Sequence, residues 1–182
     1  MRHHSYAAIQ DARCGTVSIE TMNYVALRQR RSGVMYKNIL VPIDGSATAR
    51  QALDEAVKLA QMTGGRITLM HVVDAMAHVY GTDAAVIQAQ VRPAMLKAGE
   101  QLLEQAKEDI GDTNLDIQTH VEETGGGRVA DAIVDYVDRE KCDLIVLGTH
   151  GRRGIERIMM GSDAEQVARI APVPVLLVRK TD

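Results

Sequence analysis

Gly148, Gly151 and Gly161, the last followed by Ser162, open the main chain just beyond an apolar run, and Arg152, Arg153 and Arg157 add positive charge between them. Glycine lets backbone N–H groups approach an anion closely. A helix beginning at Ser162 would aim its unsatisfied N–H groups and the positive end of its dipole at the same spot. The chemistry this pattern serves is the holding of a phosphate. A few charge-assisted hydrogen bonds, each of about 1.5–3 kcal/mol, suffice for a micromolar anion site. Of the arginines, Arg152 is the one expected to reach the anion; the others read as solvated charges on a turn. His150 stands in the same loop and would touch a phosphate only when protonated.

Such a loop needs elements that aim it. "NILVPI" (38–43) reads as a strand ended by "DGS", and Ala49, Ala52, Leu53, Ala56, Val57 and Ala60 then recur at helical spacing until "TGG" at 63–65. "RITLMHVV" (66–73) is a second strand. An irregular stretch, "DAMAHVYGTDAA", follows as a candidate lid, and then a helix to about Ile110 with Leu96, Leu103 and Ala106 inward and Pro93 in its first turn or at a kink. "LDIQTHV" (115–121) alternates like a strand near an edge, whereas "DLIVLG" (143–148) is continuously apolar like a central one. Val129, Ala132, Ile133, Tyr136 and Val137 mark a helix between them. A last helix starts near Ser162, and "VPVLLVRK" (173–180) closes the chain as a strand. This alternation predicts an α/β fold with an open, mostly parallel five-stranded sheet and helices on both faces. Ligands in such sheets bind beyond the carboxyl ends of the strands where strand order reverses, so the turns after the first and fourth strands are expected to overhang one crevice.

The same residues carry a resemblance to a known family. Gly148, Gly151, Gly161 and Ser162 satisfy the pattern G-x2-G-x9-G-[ST] of the ATP-binding branch of the universal stress proteins, and "YKNILVPIDGS", "LMHVVD", "DLIVLGTHGRRG" and "GSDAEQVARIAPVPVLLVR" match it in order and spacing over residues 35–182. The resemblance implies a Rossmann-like sheet of the adenine nucleotide alpha hydrolase type with strand order 3-2-1-4-5. It implies that Gly148, Gly151, Gly161 and Ser162 surround a triphosphate, that Pro42 and Asp44 line the ribose and adenine side, and that the backbone of Val72 reads the adenine edge. Asp44 is also a candidate to help hold a phosphate-bound Mg or Mn ion, although one carboxylate does not make a metal site. The nucleotide implied is ATP, with AMP as the lesser form, and the assembly implied is a homodimer paired through 173–180. Asp163 departs from the small or β-branched neutral residue common in the family. Its carboxylate would stabilise the helix start and compete with phosphates for the same N–H groups.

The rest of the chain narrows the choice. A net charge of −3, five Tyr and no Trp or Phe argue against nucleic acid. No apolar run is long enough for a membrane helix and the N-terminus lacks the apolar centre of a secretory signal, so a cytoplasmic location is expected. Cys14 and Cys142 form no metal or disulfide pattern, and His71 and His120 read as core or surface residues rather than metal ligands. "GGGRVA" (125–130) fits a loose dinucleotide pattern but follows a peripheral strand and reads as a turn; no P-loop sequence occurs. Residues 1–34 are expected to be an unstructured extension ahead of a second start at Met35, or else a docking arm. Their five arginines against Asp11 and Glu20 make the segment +3, so the rest of a chain totalling −3 carries −6. Residues 35–182 are expected to form one domain. It is expected to act as a nucleotide-responsive binding module with an unidentified protein partner; a weak ATPase or phosphotransferase and a nucleotide-free dimeric scaffold are the alternatives. No base-and-nucleophile pair accompanies the phosphate cradle beyond the isolated Asp44.

Overall fold

A computed structural model describes residues 35–74, 84–149 and 161–179. Five strands, β1 (Asn38–Pro42), β2 (Arg66–Val73), β3 (Ile117–Glu123), β4 (Leu144–Gly148) and β5 (Val175–Val178), form one all-parallel sheet in the order β3-β2-β1-β4-β5. The chain starts in the middle of the sheet, winds outward to β3, and returns to β4 on the other side of β1. Strand order therefore reverses between β1 and β4, as expected. β3 begins and ends two residues later than its alternation suggested, and β5 is shorter because Pro174, which has no N–H, precedes it.

Strand alternation divides the core into two layers. Ile39, Val41, Ile67, Leu69, Leu144 and Val146 face helices α1 (Ala47–Thr63) and α2 (84–110), while Leu40, Met70, Ile145 and Leu147 face α3 (Val129–Glu140) and α4 (Ser162–Ile170). β1 is covered on both faces, with Ile39, Leu40 and Val41 at 0% exposure. Burying each contributes about 1.5–3 kcal/mol, which fixes the strand that leads into the candidate site. Ala49, Ala52, Ala56 and Ala60 give α1 a narrow buried stripe that lets it lie close to the sheet.

Helix α2 consists of Ala84–Val86, a π-helical turn at Ile87–Val91, and Arg92–Ile110. The Arg92 N–H donates to the Ile87 carbonyl, the five-residue spacing of a π turn. The wide turn lies where the Pro93 ring would otherwise press on the carbonyl four residues back, so Pro93 sits within a continuing helix rather than breaking it. Leu103 and Ala106 are buried as expected, whereas Leu96 is only half-buried and Gly99 takes the innermost place. Arg92 grips Glu123 at the end of β3 through two hydrogen bonds of 2.7 Å. Most of the candidate lid, 75–83, lies outside the described residues, as does the N-terminal segment 1–34. Among the described residues no helix is long and apolar enough to cross a membrane. Cys142 is buried, and burial pushes its thiol up to about 11, which makes it a poor nucleophile.

Candidate functional site

Backbone direction explains why the ladder between β1 and β4 stops short of their carboxyl ends. Asp143 N–H donates to the Asn38 carbonyl at 2.9 Å, so Asn38 and the alternate residues after it turn their main-chain groups toward β4. Pro42 belongs to that set and has no N–H to offer. The β1–β4 pairing covers only Ile39↔Leu144 and Leu40↔Ile145, while the β1–β2 pairing runs on to Pro42↔Met70. Beyond Leu40 the two central strands share no further ladder pair.

Those of the expected residues that are described lie at the carboxyl ends of β1, β2 and β4 and at the start of α4. The Ile145 and Thr149 N–H groups donate to Pro174 and Val178 on the β5 side, so Gly148, one residue out of phase, directs its main chain toward β1 and the opening. On β2 the Met70 carbonyl accepts from Ile43 N–H; Val72, two residues on, turns its main chain the same way, past the last residue of β1. Asp44 follows the end of β1, half-buried, and one of its carboxylate oxygens accepts from Ser46 N–H at 2.9 Å. Gly161 N–H donates to the Thr149 carbonyl at 2.9 Å, which brings the start of α4 to the end of β4. Gly151 and Arg152 lie outside the described residues, together with His150, Arg153 and Arg157.

The two helices that begin here have different N-termini. Ser46 caps α1, its hydroxyl accepting from Ala49 N–H at 3.1 Å. Gly161 caps α4 and brings no side chain; the first intrahelical bond runs from Glu165 N–H to the Gly161 carbonyl, so the helix itself leaves the Ser162, Asp163 and Ala164 N–H groups unsatisfied. Ser162 and Asp163 are exposed at this end. Glu165, also in the first turn, is drawn away by Arg169 at 2.8 Å.

Gly148 has a second reason to be glycine. A Cβ built on it would stand 2.7 Å from the Thr48 carbonyl carbon and 2.9 Å from Ala49 N, both main-chain atoms of the first turn of α1. The space left by its missing side chain is filled by that helix. Sequence reasoning assigned the glycine to an anion and missed the packing, since nothing near 148 in the chain announces Thr48. It also missed Gly45, whose φ of 84° demands glycine, although "DGS" between a strand and a helix carried the signal. Of the "GGGRVA" segment, Gly125, Gly126 and Gly127 form a turn off edge strand β3, with Gly125 and Gly126 at φ 59° and 96°, and Val129 and Ala130 begin α3. His120 lies on that edge too, bonded to Glu122 at 2.8 Å.

Comparison with known proteins agrees with this geometry. The universal stress protein family profile matches residues 35–179. A universal stress protein of Methanocaldococcus jannaschii is 34% identical over 146 residues, covering 80% of this chain and 84% of its own length. The structure of the universal stress protein UspA from Lactobacillus plantarum superposes with a TM-score of 0.69 at 29% identity, over 81% of this chain and all of that one. A universal stress protein crystallised in complex with cAMP superposes at 0.54 with 26% identity, over 81% of this chain and 99% of its own. Sheet order, strand ends and sequence thus converge, and the chain belongs to the universal stress protein family.

Proposed function

We propose that this protein binds an adenine nucleotide, ATP or AMP, across the opening between β1 and β4, and works as a cytoplasmic, nucleotide-responsive dimeric module that acts on a protein partner. The observation that carries the reading is the opening itself. Pro42 ends the pairing of the central strands, the main chains of Val72 and Gly148 face the gap, and α4 starts at its rim under a glycine cap. In this reading Gly148, Gly151, Gly161 and Ser162 hold the phosphates with Arg152, Pro42 and Asp44 line the ribose and adenine, and Val72 meets the adenine edge. The relative crystallised with cAMP supports the ligand class.

A divalent ion held by protein groups does not fit the described residues. They contain no cluster of three His, Cys, Asp or Glu able to hold one, and an Asp44 oxygen already serves its own turn. Any Mg or Mn would ride on the phosphates. Dimerisation through 173–180 is supported by the apolar edge strand β5, where Leu176 is 38% exposed, because an unpaired edge invites a second strand. Mass spectrometry of small molecules released by denaturing the freshly purified protein is expected to find ATP or AMP in near-stoichiometric amount. A protein that releases none and binds none at millimolar concentration overturns the proposal. Sedimentation that stays monomeric at all concentrations removes the dimer.

A further inference from the structure

His71 belongs to no part of the expected nucleotide cradle, yet it touches the turn that carries Asp44. Its Nδ1 stands 2.7 Å from the Ile43 carbonyl, and because a carbonyl only accepts, Nδ1 carries the proton. Ile43 lies one residue beyond the end of β1. Its N–H is held by the Met70 carbonyl at 2.7 Å, and its own carbonyl is held by the imidazole. Both peptide groups flanking Ile43 are thus fixed from β2, by a main-chain bond on one side and a side-chain bond on the other. The next residues are Asp44, Gly45 and Ser46, so the direction in which the chain leaves β1 is set at this point.

The ring is braced from behind. A Cβ on Gly99 of α2 would stand 2.8 Å from His71 Cδ2 and 3.4 Å from a Val121 methyl. Gly99 is buried within a helix, where glycine is less favourable than alanine, and its bare face is where the imidazole fits. α2, His71 and the Ile43 carbonyl form a continuous contact from the helix face to the Asp44 turn.

We propose that His71 is a positioning residue for nucleotide binding: seated on Gly99, it holds the Ile43 carbonyl and so sets the Asp44–Ser46 turn against the opening. This rests on the reading that the opening binds an adenine nucleotide. Two measurements separate the claims: ATP affinity by calorimetry, and amide hydrogen exchange over 43–49 in nucleotide-free protein. His71→Leu removes the donor at similar volume and is expected to weaken ATP binding about tenfold and to speed exchange over 43–49. His71→Asn offers an amide N–H near the place of Nδ1 and is expected to recover most of both. Gly99→Ala leaves the donor but displaces the ring, and is expected to shift both readouts the same way, which keeps the test valid if His71→Leu folds poorly. Wild-type exchange over 43–49 in both His71→Leu and Gly99→Ala overturns the proposal, whether or not ATP binds; so does His71→Asn behaving as badly as His71→Leu. A wild-type protein that fails to bind ATP, with exchange still altered in the variants, overturns the nucleotide reading and leaves the positioning of the turn standing.

Discussion

The β1–α1 and β4–α4 connections leave adjacent strands at the same end of the sheet, yet they treat their helix termini in opposite ways. The first is short and satisfies itself: Asp44 accepts from Ser46 N–H, Gly45 takes the left-handed conformation, and Ser46 caps α1. The second is longer and glycine-rich, and it delivers α4 with a cap that has no side chain. Two helices of the same polarity therefore differ in the charge they show. The positive end of α1 is capped by its own serine, and that of α4 begins at a glycine that supplies no side-chain cap. The contrast teaches that two strand-turn-helix units of one sheet differ by whether the turn supplies a side-chain cap, and in the proposed reading the uncapped one meets the phosphates.

Substitutions can break this contrast, and the largest effect is expected at Gly148. Gly148→Ala sets a methyl group against the main chain of α1, which cannot swing aside as a side chain could, and is expected to destabilise by about 1–3 kcal/mol in urea unfolding. The same change at Gly161, whose φ of −60° and ψ of 147° suit any residue, should stay within about 0.5 kcal/mol.

Gly161→Asp would give α4 the kind of cap α1 already has. Stability is expected to rise by a few tenths of a kcal/mol while ATP affinity falls about tenfold, because the new carboxylate takes the N–H groups and repels the phosphates. Calorimetry and urea midpoints moving in the same direction would contradict the division of labour. Ser46→Ala is expected to cost about 1 kcal/mol of stability through loss of the α1 cap. Ser162→Ala, at an exposed position inside the first turn of α4, should leave the urea midpoint unchanged and lower ATP affinity severalfold.

Asp163→Asn sharpens the comparison more gently. Removing an exposed carboxylate from the start of α4 is expected to cost about 0.3–1 kcal/mol of stability at low salt and to raise ATP affinity by a similar free energy. The smallest effect is expected at Glu122, on edge strand β3. Burial raises its carboxyl, but hydrogen bonds from Arg139 and His120 outweigh that and hold it below the ordinary value of 4.5. A depressed folded value means the contribution is complete above 4.5 and is lost as pH falls through the folded value. Glu122→Gln should flatten this part of the acid-side stability profile and leave ATP affinity at neutral pH unchanged.

Much of the architecture was legible in the chain because both periodicities are clean. The run Ile39–Val41 and the spacing of Ala49, Ala52, Leu53, Ala56 and Ala60 each admit one element type. The edges of the sheet were less legible. β3 was displaced by two residues because its outer half carries polar residues that pair with one another, as His120 does with Glu122, and so breaks the alternation. The use of Pro42 as the residue that halts the β1–β4 ladder could not be read locally, since it depends on which side of β1 holds β4.

The sequence alone determined which segments are strands and helices, and "DGS" carried an unread signal for the glycine turn at Gly45, because both follow from short-range sterics and periodicity. Only the tertiary structure decided that Gly148 makes room for Thr48, that Gly99 makes room for His71, and that the β1–β4 ladder ends at Leu40. Those are contacts between segments distant in the chain. Their meaning depends on which neighbour the fold brings within reach, and no local pattern encodes it.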